Sequence, residues 1–254
     1  MGKAHFIISF IKFTPYLLYS YFTWLRKYSR HPESAPIEVR YEKVRKMMFK
    51  ALHILRYDIK ANNLDYFTKH EGSFLGISNH RSFFDPVFYI YYSEKPISFI
   101  AKKETGKIPF LSSVLRAIDA FLIDREDVMS QLRLFKEISE RLKSNKISYL
   151  VFAEGGRMKD SSQIQTLPYK DGSLKPAYWA EKDIIFASIY GSHLVTERKP
   201  KGYTKRNITL EFHKPIKFSD IKDQSTTQVM PMIEKITNET LVKIAKENDS
   251  RNLK

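Results

Sequence analysis

One short stretch of the chain, GISNHRSFFDP at residues 76–86, places a histidine and an aspartate five residues apart. His80 follows a short apolar run, and Asp85 is followed directly by Pro86. An imidazole can take a proton from a hydroxyl near neutral pH, and it works better when a carboxylate fixes its tautomer and stabilises the imidazolium. The pair therefore predicts general-base chemistry if the fold brings the side chains together, whereas an exposed turn with an incidental histidine would explain the same residues.

The spacing of the pair restricts the local structure that could join the two side chains. On one continuous helix, side chains five residues apart point about 140° away from each other. We therefore expect His80 to lie in the turn after a strand and a helix to begin close to Asp85, with Pro86 near the first helical position, where proline is well tolerated. In that arrangement Asp85 can reach back to the imidazole.

Further charged residues and glycines stand near the ends of other predicted strands. They are Lys102 and Lys103, Asp124 and Arg125, and the group Glu154, Gly155, Gly156 and Arg157. Arginine and lysine bind phosphate, and glycines let backbone N–H groups approach an anion closely. Because sites in open α/β sheets gather at the carboxyl ends of strands, we expect a phosphate-binding region beside His80. Taken separately, Asp124 and Arg125 could be a surface ion pair capping a helix, and the glycine stretch an ordinary tight turn.

The elements that must position these residues are visible as alternating patterns after residue 57. Short apolar runs predict strands at 73–78, 97–101, 120–124, 147–153, 183–189 and 207–212. Apolar residues at helical spacing predict helices around 111–118, 129–142 and 226–247. This alternation indicates an α/β domain over residues 57–254, with a mixed, largely parallel central sheet flanked by helices. Residues 156–171 are predicted to form a long surface loop.

Composition bounds the classes of protein that the chain can belong to. With 254 residues, of which 43% are hydrophobic, it can form one large domain or one domain plus an appendage. The absence of cysteine excludes disulfides and thiolate metal sites and is typical of a reducing compartment. The net charge of +15 indicates a polyanionic partner, which could be nucleic acid, an anionic membrane, or an acidic substrate or carrier.

The N-terminal quarter is the part of the chain that favours a membrane. Residues 5–25 are nearly all apolar or aromatic and would form a helix about 32 Å long, but Lys12 and Pro15 disfavour a simple crossing. Residues 34–57 predict an amphipathic second helix with a basic side, formed by Arg40, Lys43, Lys46 and Lys50. We interpret residues 1–56 as a membrane-associated helix pair that lies on or dips into one leaflet, with a true span and an ordinary core helix as the alternatives.

The basic residues between the two predicted helices indicate which side of the membrane the chain faces. Arg26, Lys27 and Arg30 directly follow the apolar segment, and basic residues beside a membrane helix favour the cytoplasmic face. The expected partners are therefore an anionic membrane surface and a substrate embedded in it. No serine or cysteine nucleophile in a strained elbow is evident near His80, so the attacking hydroxyl is expected to belong to the substrate. A base, an orienting acid and phosphate-binding cations beside a membrane anchor fit acyl transfer to a phosphorylated, lipid-like acceptor.

Over residues 57–220 the chain resembles the 1-acylglycerol-3-phosphate acyltransferases, also called lysophosphatidate acyltransferases. NHRSFFD is similar to the first motif of that family, KKETGKIPF with AFLIDR to the stretch ending in the second, FAEGGR to the third, and YKDG to a short element after it. The resemblance implies transfer of a fatty acyl group from acyl-carrier protein or acyl-coenzyme A to lysophosphatidate. It implies catalytic roles for His80 and Asp85, phosphate binding by Arg125, and acceptor binding by Glu154 and Gly155, and no cofactor or metal is expected.

Departures from the family pattern leave the acceptor open. The third motif usually reads Phe-Pro-Glu-Gly-Thr-Arg-Ser, whereas this chain has Ala153, Gly156 and Met158 in place of Pro, Thr and Ser. Ala187 stands where the fourth motif usually has a proline. The acceptor could therefore also be glycerol 3-phosphate or another lysophospholipid.

Two classes outside acyl transfer would explain some of these features. A membrane-tethered, basic nucleic-acid-binding protein would account for the charge but not for the spacing of His80 and Asp85, and the chain has no recognisable nucleic-acid-binding motif. A metallohydrolase would need a third ligand near that pair, and none is evident. We therefore expect no nucleic-acid partner.

Overall fold

The computed structural model describes residues 2–55, 57–124, 126–158, 160, 163–197 and 200–253. Its centre is one seven-stranded sheet. The strands are β1 (Asp58–Asn62), β2 (Leu75–Ser78), β3 (Ile97–Lys102), β4 (Phe121–Ile123), β5 (Ser148–Phe152), β6 (Ile184–Tyr190) and β7 (Asn207–Phe212). They lie in the order β1-β7-β6-β2-β5-β3-β4. All six strands predicted from apolar runs are confirmed.

The directions of the strands decide which strand ends lie along the same border of the sheet. Strands β6, β2, β5, β3 and β4 are mutually parallel, whereas β7 runs antiparallel to β6 and parallel to β1. The sheet is therefore mixed and largely parallel, as predicted. The carboxyl ends of β2 to β6 consequently lie along one border of the sheet, which we call the site edge.

Strand β1 is the one strand that the sequence patterns did not predict. Its residues, DIKAN, contain no apolar run and are only partly buried. It is a strand because it pairs in parallel register with β7, from Asp58 beside Asn207 to Asn62 beside Glu211. An edge strand of this kind depends on a distant partner, so its local sequence carries little signal.

Helices cover both faces of the sheet. They are α1 (Gly2–Ser20), α2 (Arg26–Arg30), α3 (Ile37–Leu55), α4 (Asp65–Thr68), α5 (Asp85–Tyr92), α6 (Pro109–Ala117), α7 (Val128–Lys143), α8 (Lys175–Ala180), α9 (Phe218–Ile221) and α10 (Thr226–Leu253). A π-helical turn at Tyr21–Leu25 joins α1 to α2. The three predicted helices of the α/β domain are confirmed as α6, α7 and α10, and the last continues to Leu253.

The hydrophobic core has two layers, one on each face of the sheet. One layer packs α1, α3, α5 and α6 against the sheet, and the other packs α7, α8 and α10. Both faces of the central strands are therefore buried, which explains why those strands read as continuous apolar runs. Side chains of α3 such as Tyr41, Val44 and Met47 are almost fully enclosed in the first layer. Residues on both sides of residue 56 share this core. The predicted domain boundary at residue 56 stays a prediction.

The basic side predicted for the second helix is only partly exposed. Arg40 is buried and donates to both carboxylate oxygens of Asp119, at 2.8 and 3.0 Å, and to the carbonyl of Ala117. The Nζ atoms of Lys43 and Lys50 lie over aromatic rings of α1, the π-helical turn and α2, with Lys50 at 3.9 Å from the centre of the Tyr16 ring. The prediction that Arg40 belongs to an exposed basic side is therefore wrong. Arg40 stabilises the packing of α3 and does not face a membrane.

Helix α1 is apolar on the side that faces away from the protein as well as on the side that packs. Its exposed side carries Ile7, Ile8, Ile11, Leu18 and Tyr19, and Phe22 of the following π-helical turn extends that side; we call these six residues the α1 stripe. Large apolar side chains grouped on one surface are unusual in a monomer. Among the described residues, no helix combines the length and the apolar character that crossing a bilayer requires. Association of this helix with a membrane stays a prediction.

Candidate active site

The end of strand β2 is held by the side chain of Asn79. Its Nδ2 donates to the carbonyl of Ile189 at 2.9 Å, and its Oδ1 accepts from the N–H of Ile189 at 2.8 Å. The amide group thus pairs with β6 in the way that a peptide would. The chain leaves the sheet at a defined point, and His80 is the next residue.

Asp85 reaches back to His80 as the spacing predicted. Helix α5 begins at Asp85 with Pro86 in its first turn, and His80 Nδ1 lies 2.8 Å from Asp85 Oδ2. The same oxygen accepts the backbone N–H groups of Arg81 at 2.7 Å and Ser82 at 2.8 Å. Asp85 is fully buried, so its position depends on these donors. The predicted turn, helix start and contact are confirmed, while the catalytic roles stay predictions.

The ring of His80 is held against β5. It stacks on Phe152, the last residue of that strand, with ring centres 4.1 Å apart and planes 19° from parallel. The side chain remains partly accessible. Because Nδ1 bonds the carboxylate of Asp85, Nε2 is the nitrogen left to accept a proton from a ligand. The stack and the carboxylate together define the orientation of the imidazole.

The turn after β5 wraps around the backbone of His80. Glu154 Oε1 accepts the His80 N–H at 2.6 Å, and Oε2 accepts the Leu167 N–H at 2.9 Å. On the other side, the N–H of Met158 donates to the carbonyl of His80 at 3.3 Å. Burial raises the pKa of Glu154, and the two backbone donors oppose that rise. Glu154 thus positions the His80 turn and the following loop; its predicted contact with an acceptor stays a prediction.

The predicted lysines lie at the site edge but face solvent. Lys102 is the last residue of β3 and approaches Glu104 at 3.2 Å, while Lys103 approaches Asp124 at 3.3 Å. A backbone N–H from Glu126 and the ammonium of Lys103 lower the pKa of Asp124. Exposed ion pairs of this kind are weak, so both lysines can exchange their partners for a ligand. Arg125 lies outside the described residues.

Two glycines and an arginine complete the predicted phosphate-binding group. Gly155 has φ +66°, in the left-handed region that glycine adopts most readily, and Gly156 follows it. Arg157 is exposed and makes no hydrogen bond or ion pair with any residue in the described part of the chain. Its guanidinium is therefore available to an anion at the site edge.

Arg81 is the main site residue that sequence reasoning missed. Its buried guanidinium donates to the carbonyls of Gln163 at 2.6 Å and Ile164 at 3.1 Å, and it lies 5.3 Å from the ring centre of Tyr190. Burial lowers its pKa. Arg81 therefore holds the predicted 156–171 loop against the His80 turn. An arginine beside the histidine was visible in the sequence, but its loop partners were not.

A second missed residue follows β6. His193 lies in the turn after that strand, with its ring centre 5.6 Å from that of Tyr190. Burial lowers the pKa of His193 to about 4, so its ring is neutral near pH 7. The signal that could have found it was its place after a predicted parallel strand, because such positions share the site edge.

Comparison with known proteins identifies the family of this chain. Residues 58–190, more than half of the chain, match the family model described as Acyltransferase. This chain belongs to the acyltransferase family. The resemblance inferred from the motifs is thus confirmed, and the enzyme interpretation accounts for the spacing that a nucleic-acid-binding protein left unexplained. Among the described residues there is also no group of three or more side chains suited to holding a metal ion.

Two bacterial proteins are similar to this chain in sequence. The chain is 37% identical over 102 residues to the 1-acyl-sn-glycerol-3-phosphate acyltransferase of Helicobacter pylori, covering 40% of this chain and 42% of that protein. It is 29% identical over 215 residues to the probable 1-acyl-sn-glycerol-3-phosphate acyltransferase of Mycoplasma pneumoniae, covering 79% and 78%. The first match thus spans less than half of its relative's length.

A solved structure has the same fold along nearly the whole chain. The crystal structure of the 1-acyl-sn-glycerophosphate (LPA) acyltransferase PlsC from Thermotoga maritima superimposes with a TM-score of 0.73. The match covers 96% of this chain and 98% of that one at 20% identity. At this identity the comparison shows a common fold, which includes the helices before the sheet.

Proposed function

We propose that this acyltransferase moves a fatty acyl group from a thioester donor to the free hydroxyl of lysophosphatidate, giving phosphatidate for phospholipid synthesis. The observation that carries the proposal is the 2.8 Å contact between His80 and the buried Asp85 at the site edge. Family membership assigns the reaction class, and the names of the bacterial relatives favour this acceptor.

In the proposed reaction His80 acts as the general base. Its Nε2 takes the proton of the acceptor hydroxyl while the hydroxyl oxygen attacks the thioester carbonyl. The tetrahedral intermediate then collapses, the carbon–sulfur bond breaks, and the leaving thiolate takes the proton back from the imidazolium. A positioned base of this type contributes about 10²–10⁴-fold to the rate.

Asp85 stabilises the imidazolium that forms in the first step. The two backbone N–H groups on its Oδ2 hold the carboxyl group in place beside the imidazole inside the protein. The hydrogen bond to His80 Nδ1 also selects the tautomer with a free Nε2. Neither function requires Asp85 to contact the substrate.

The acceptor's phosphate is proposed to bind along the same edge. Arg157, Lys102 and Lys103 supply positive charge there, and Gly155 and Gly156 allow close approach of backbone N–H groups. Arg125, which lies outside the described residues, is expected to join them. The donor can be acyl-carrier protein or acyl-coenzyme A, because both are acidic and the chain carries +15.

The cytoplasmic face of the cell membrane is the proposed location. The α1 stripe offers apolar side chains to the acyl region, with Ile11 and Phe22 more than half exposed. Each basic side chain near an anionic surface adds about 1 kcal/mol of attraction. An anchored enzyme would meet its acceptor in the leaflet where lysophosphatidate resides.

One assay tests the proposed reaction. Purified enzyme is mixed with labelled lysophosphatidate and each donor in turn, and products are separated by thin-layer chromatography. We expect phosphatidate with at least one donor, and about 100-fold less or lower still from His80→Ala. Parallel reactions contain glycerol 3-phosphate or lysophosphatidylglycerol as the acceptor. Acylation of one of these acceptors without any product from lysophosphatidate would contradict the proposed acceptor.

A further inference from the structure

The side chain of Lys170 occupies the space that a side chain at position 155 would need. A Cβ built on Gly155 would lie 2.9 Å from Lys170 Cε and 3.0 Å from Lys170 Nζ. The backbone N–H of Lys170 donates to the carbonyl of Ala153 at 2.9 Å, which fixes the start of this side chain beside the turn after β5. The ammonium group is thereby placed over Gly155.

Lys170 has no acidic partner that would explain this position. It is exposed and makes no salt bridge or side-chain hydrogen bond within the described ranges. The nearby carboxylate of Glu154 already accepts two backbone N–H groups. A lysine held over a glycine turn without a counter-charge has its donors free for a ligand.

The turn beneath Lys170 is the one that surrounds His80. Glu154 accepts the His80 N–H, Met158 donates to the His80 carbonyl, and Gly155 and Arg157 lie between these two contacts. Arg157, on this turn, and Lys170, over it, are therefore two cations beside the proposed base that have no acidic partner among the described residues. Within the part of the chain that the structure describes, neither is held by an ion pair that an incoming anion would have to break.

Two cations at the same turn, one on it and one over it, favour one class of phosphate over another. A phosphomonoester carries close to two negative charges at pH 7 and presents three terminal oxygens, whereas a phosphodiester carries one charge and presents two. We propose that Lys170 is an additional acceptor-binding residue and that, together with Arg157, it makes the site prefer phosphomonoester acceptors over phosphodiester ones. This inference rests on the proposed acyl transfer and narrows its acceptor class to lysophosphatidate or glycerol 3-phosphate.

Substitutions at Lys170 separate its charge from its packing. Lys170→Met keeps an unbranched chain over Gly155 but removes the ammonium, and Lys170→Arg keeps a cation. Lys136→Met, at an exposed position on α7, changes the net charge equally and serves as the control. Acylation of lysophosphatidate, a monoester, and of lysophosphatidylglycerol, a diester, is measured with one donor.

We expect Lys170→Met to lower kcat/KM for lysophosphatidate by about 10-fold or more, mainly through KM, since a charge-assisted contact is lost. The diester should be affected less than about three-fold, because the second charge that Lys170 meets is absent from it. Lys170→Arg should restore most of the preference, and Lys136→Met should keep the wild-type ratio. An equal decrease for both acceptors, or none for either, would overturn the inference.

Binding of glycerol 3-phosphate, followed by calorimetry, gives a readout that does not depend on activity. Weaker binding by Lys170→Met than by Lys136→Met supports the inference. If the wild-type enzyme fails to acylate lysophosphatidate but shows this difference in binding, the proposed acceptor is wrong and the anion site stands. If the two variants bind glycerol 3-phosphate equally well, the inference fails whatever the activity.

Discussion

Asp85 and Lys103 are both ionisable side chains near the site edge, but Asp85 is buried and held in place whereas Lys103 is exposed. The side chain of Asp85 is 0% exposed, and one of its oxygens accepts three hydrogen bonds. The side chain of Lys103 is 66% exposed and has one long ion pair with Asp124. Arg157 and Lys170 are exposed in the same way.

The difference follows from the proposed roles of two groups: the buried pair of His80 and Asp85, and the exposed cations Lys103, Arg157 and Lys170. A proton transfer needs donor and acceptor at hydrogen-bond distance in the transition state, so its residues must be held before substrate arrives. A phosphate brings its own charge and can order flexible cations when it binds. Removing a buried, fixed group should therefore reduce kcat, whereas removing an exposed cation should mainly raise KM.

The largest expected effect is that of His80→Ala. Loss of the base should lower kcat by about 10²–10⁴-fold, while KM changes little. Initial rates at saturating acceptor measure this, and thermal unfolding checks that the variant is folded. A folded variant that keeps more than about a tenth of the wild-type kcat would exclude the general-base role, because even the weakest contribution of that kind is larger.

Asp85→Asn should reduce kcat by about 10² or more, because the amide removes the charge that stabilises the imidazolium. The combined His80→Ala, Asp85→Asn variant should be little slower than His80→Ala alone, since residues that act as a unit are not additive. A double variant whose loss equals the product of the two single losses would show that Asp85 acts independently of His80.

Arg157→Ala tests whether the exposed cations bind the phosphate of the acceptor. Loss of one charge-assisted contact, about 1.5–3 kcal/mol, corresponds to about 10- to 150-fold in kcat/KM for lysophosphatidate. The same result is expected for Arg125→Ala, although Arg125 lies outside the described residues. Steady-state kinetics should show the change mainly in KM. A decrease confined to kcat would contradict the contrast between the buried pair of His80 and Asp85 and the exposed cations.

The smallest expected effect concerns the α1 stripe. Ile11→Gln should weaken binding to anionic vesicles by about 5-fold, equivalent to about 1 kcal/mol of lost apolar transfer. Its kcat with a short-chain, water-soluble acceptor should stay unchanged. Val242→Gln, at an exposed aliphatic position on α10, is the matched control for vesicle flotation. Equal flotation of both variants and wild type would argue against a membrane contact through α1.

Patterns within a few residues predicted much of this molecule. Apolar runs predicted six strands, helical spacing predicted α6, α7 and α10, and the His80–Asp85 spacing predicted the start of α5. These features are local, because strand and helix periodicity and the tolerance of proline at Pro86 act between near neighbours. The motifs were likewise sufficient to indicate the acyltransferase family.

Other features depended on residues that are far apart in the chain. Strand β1 exists through its pairing with β7, and Arg40 is buried because Asp119 meets it across the fold. The carboxylate of Glu154 and the guanidinium of Arg81 hold backbone groups of a loop whose path the sequence does not specify. By itself, the sequence determined which residues could do chemistry and which elements carry them. Only the tertiary structure decided which ionisable groups are buried among hydrogen-bond donors, like Asp85, and which, like Arg157 and Lys170, stay exposed, because burial and hydrogen bonding depend on contacts made once the whole chain has folded.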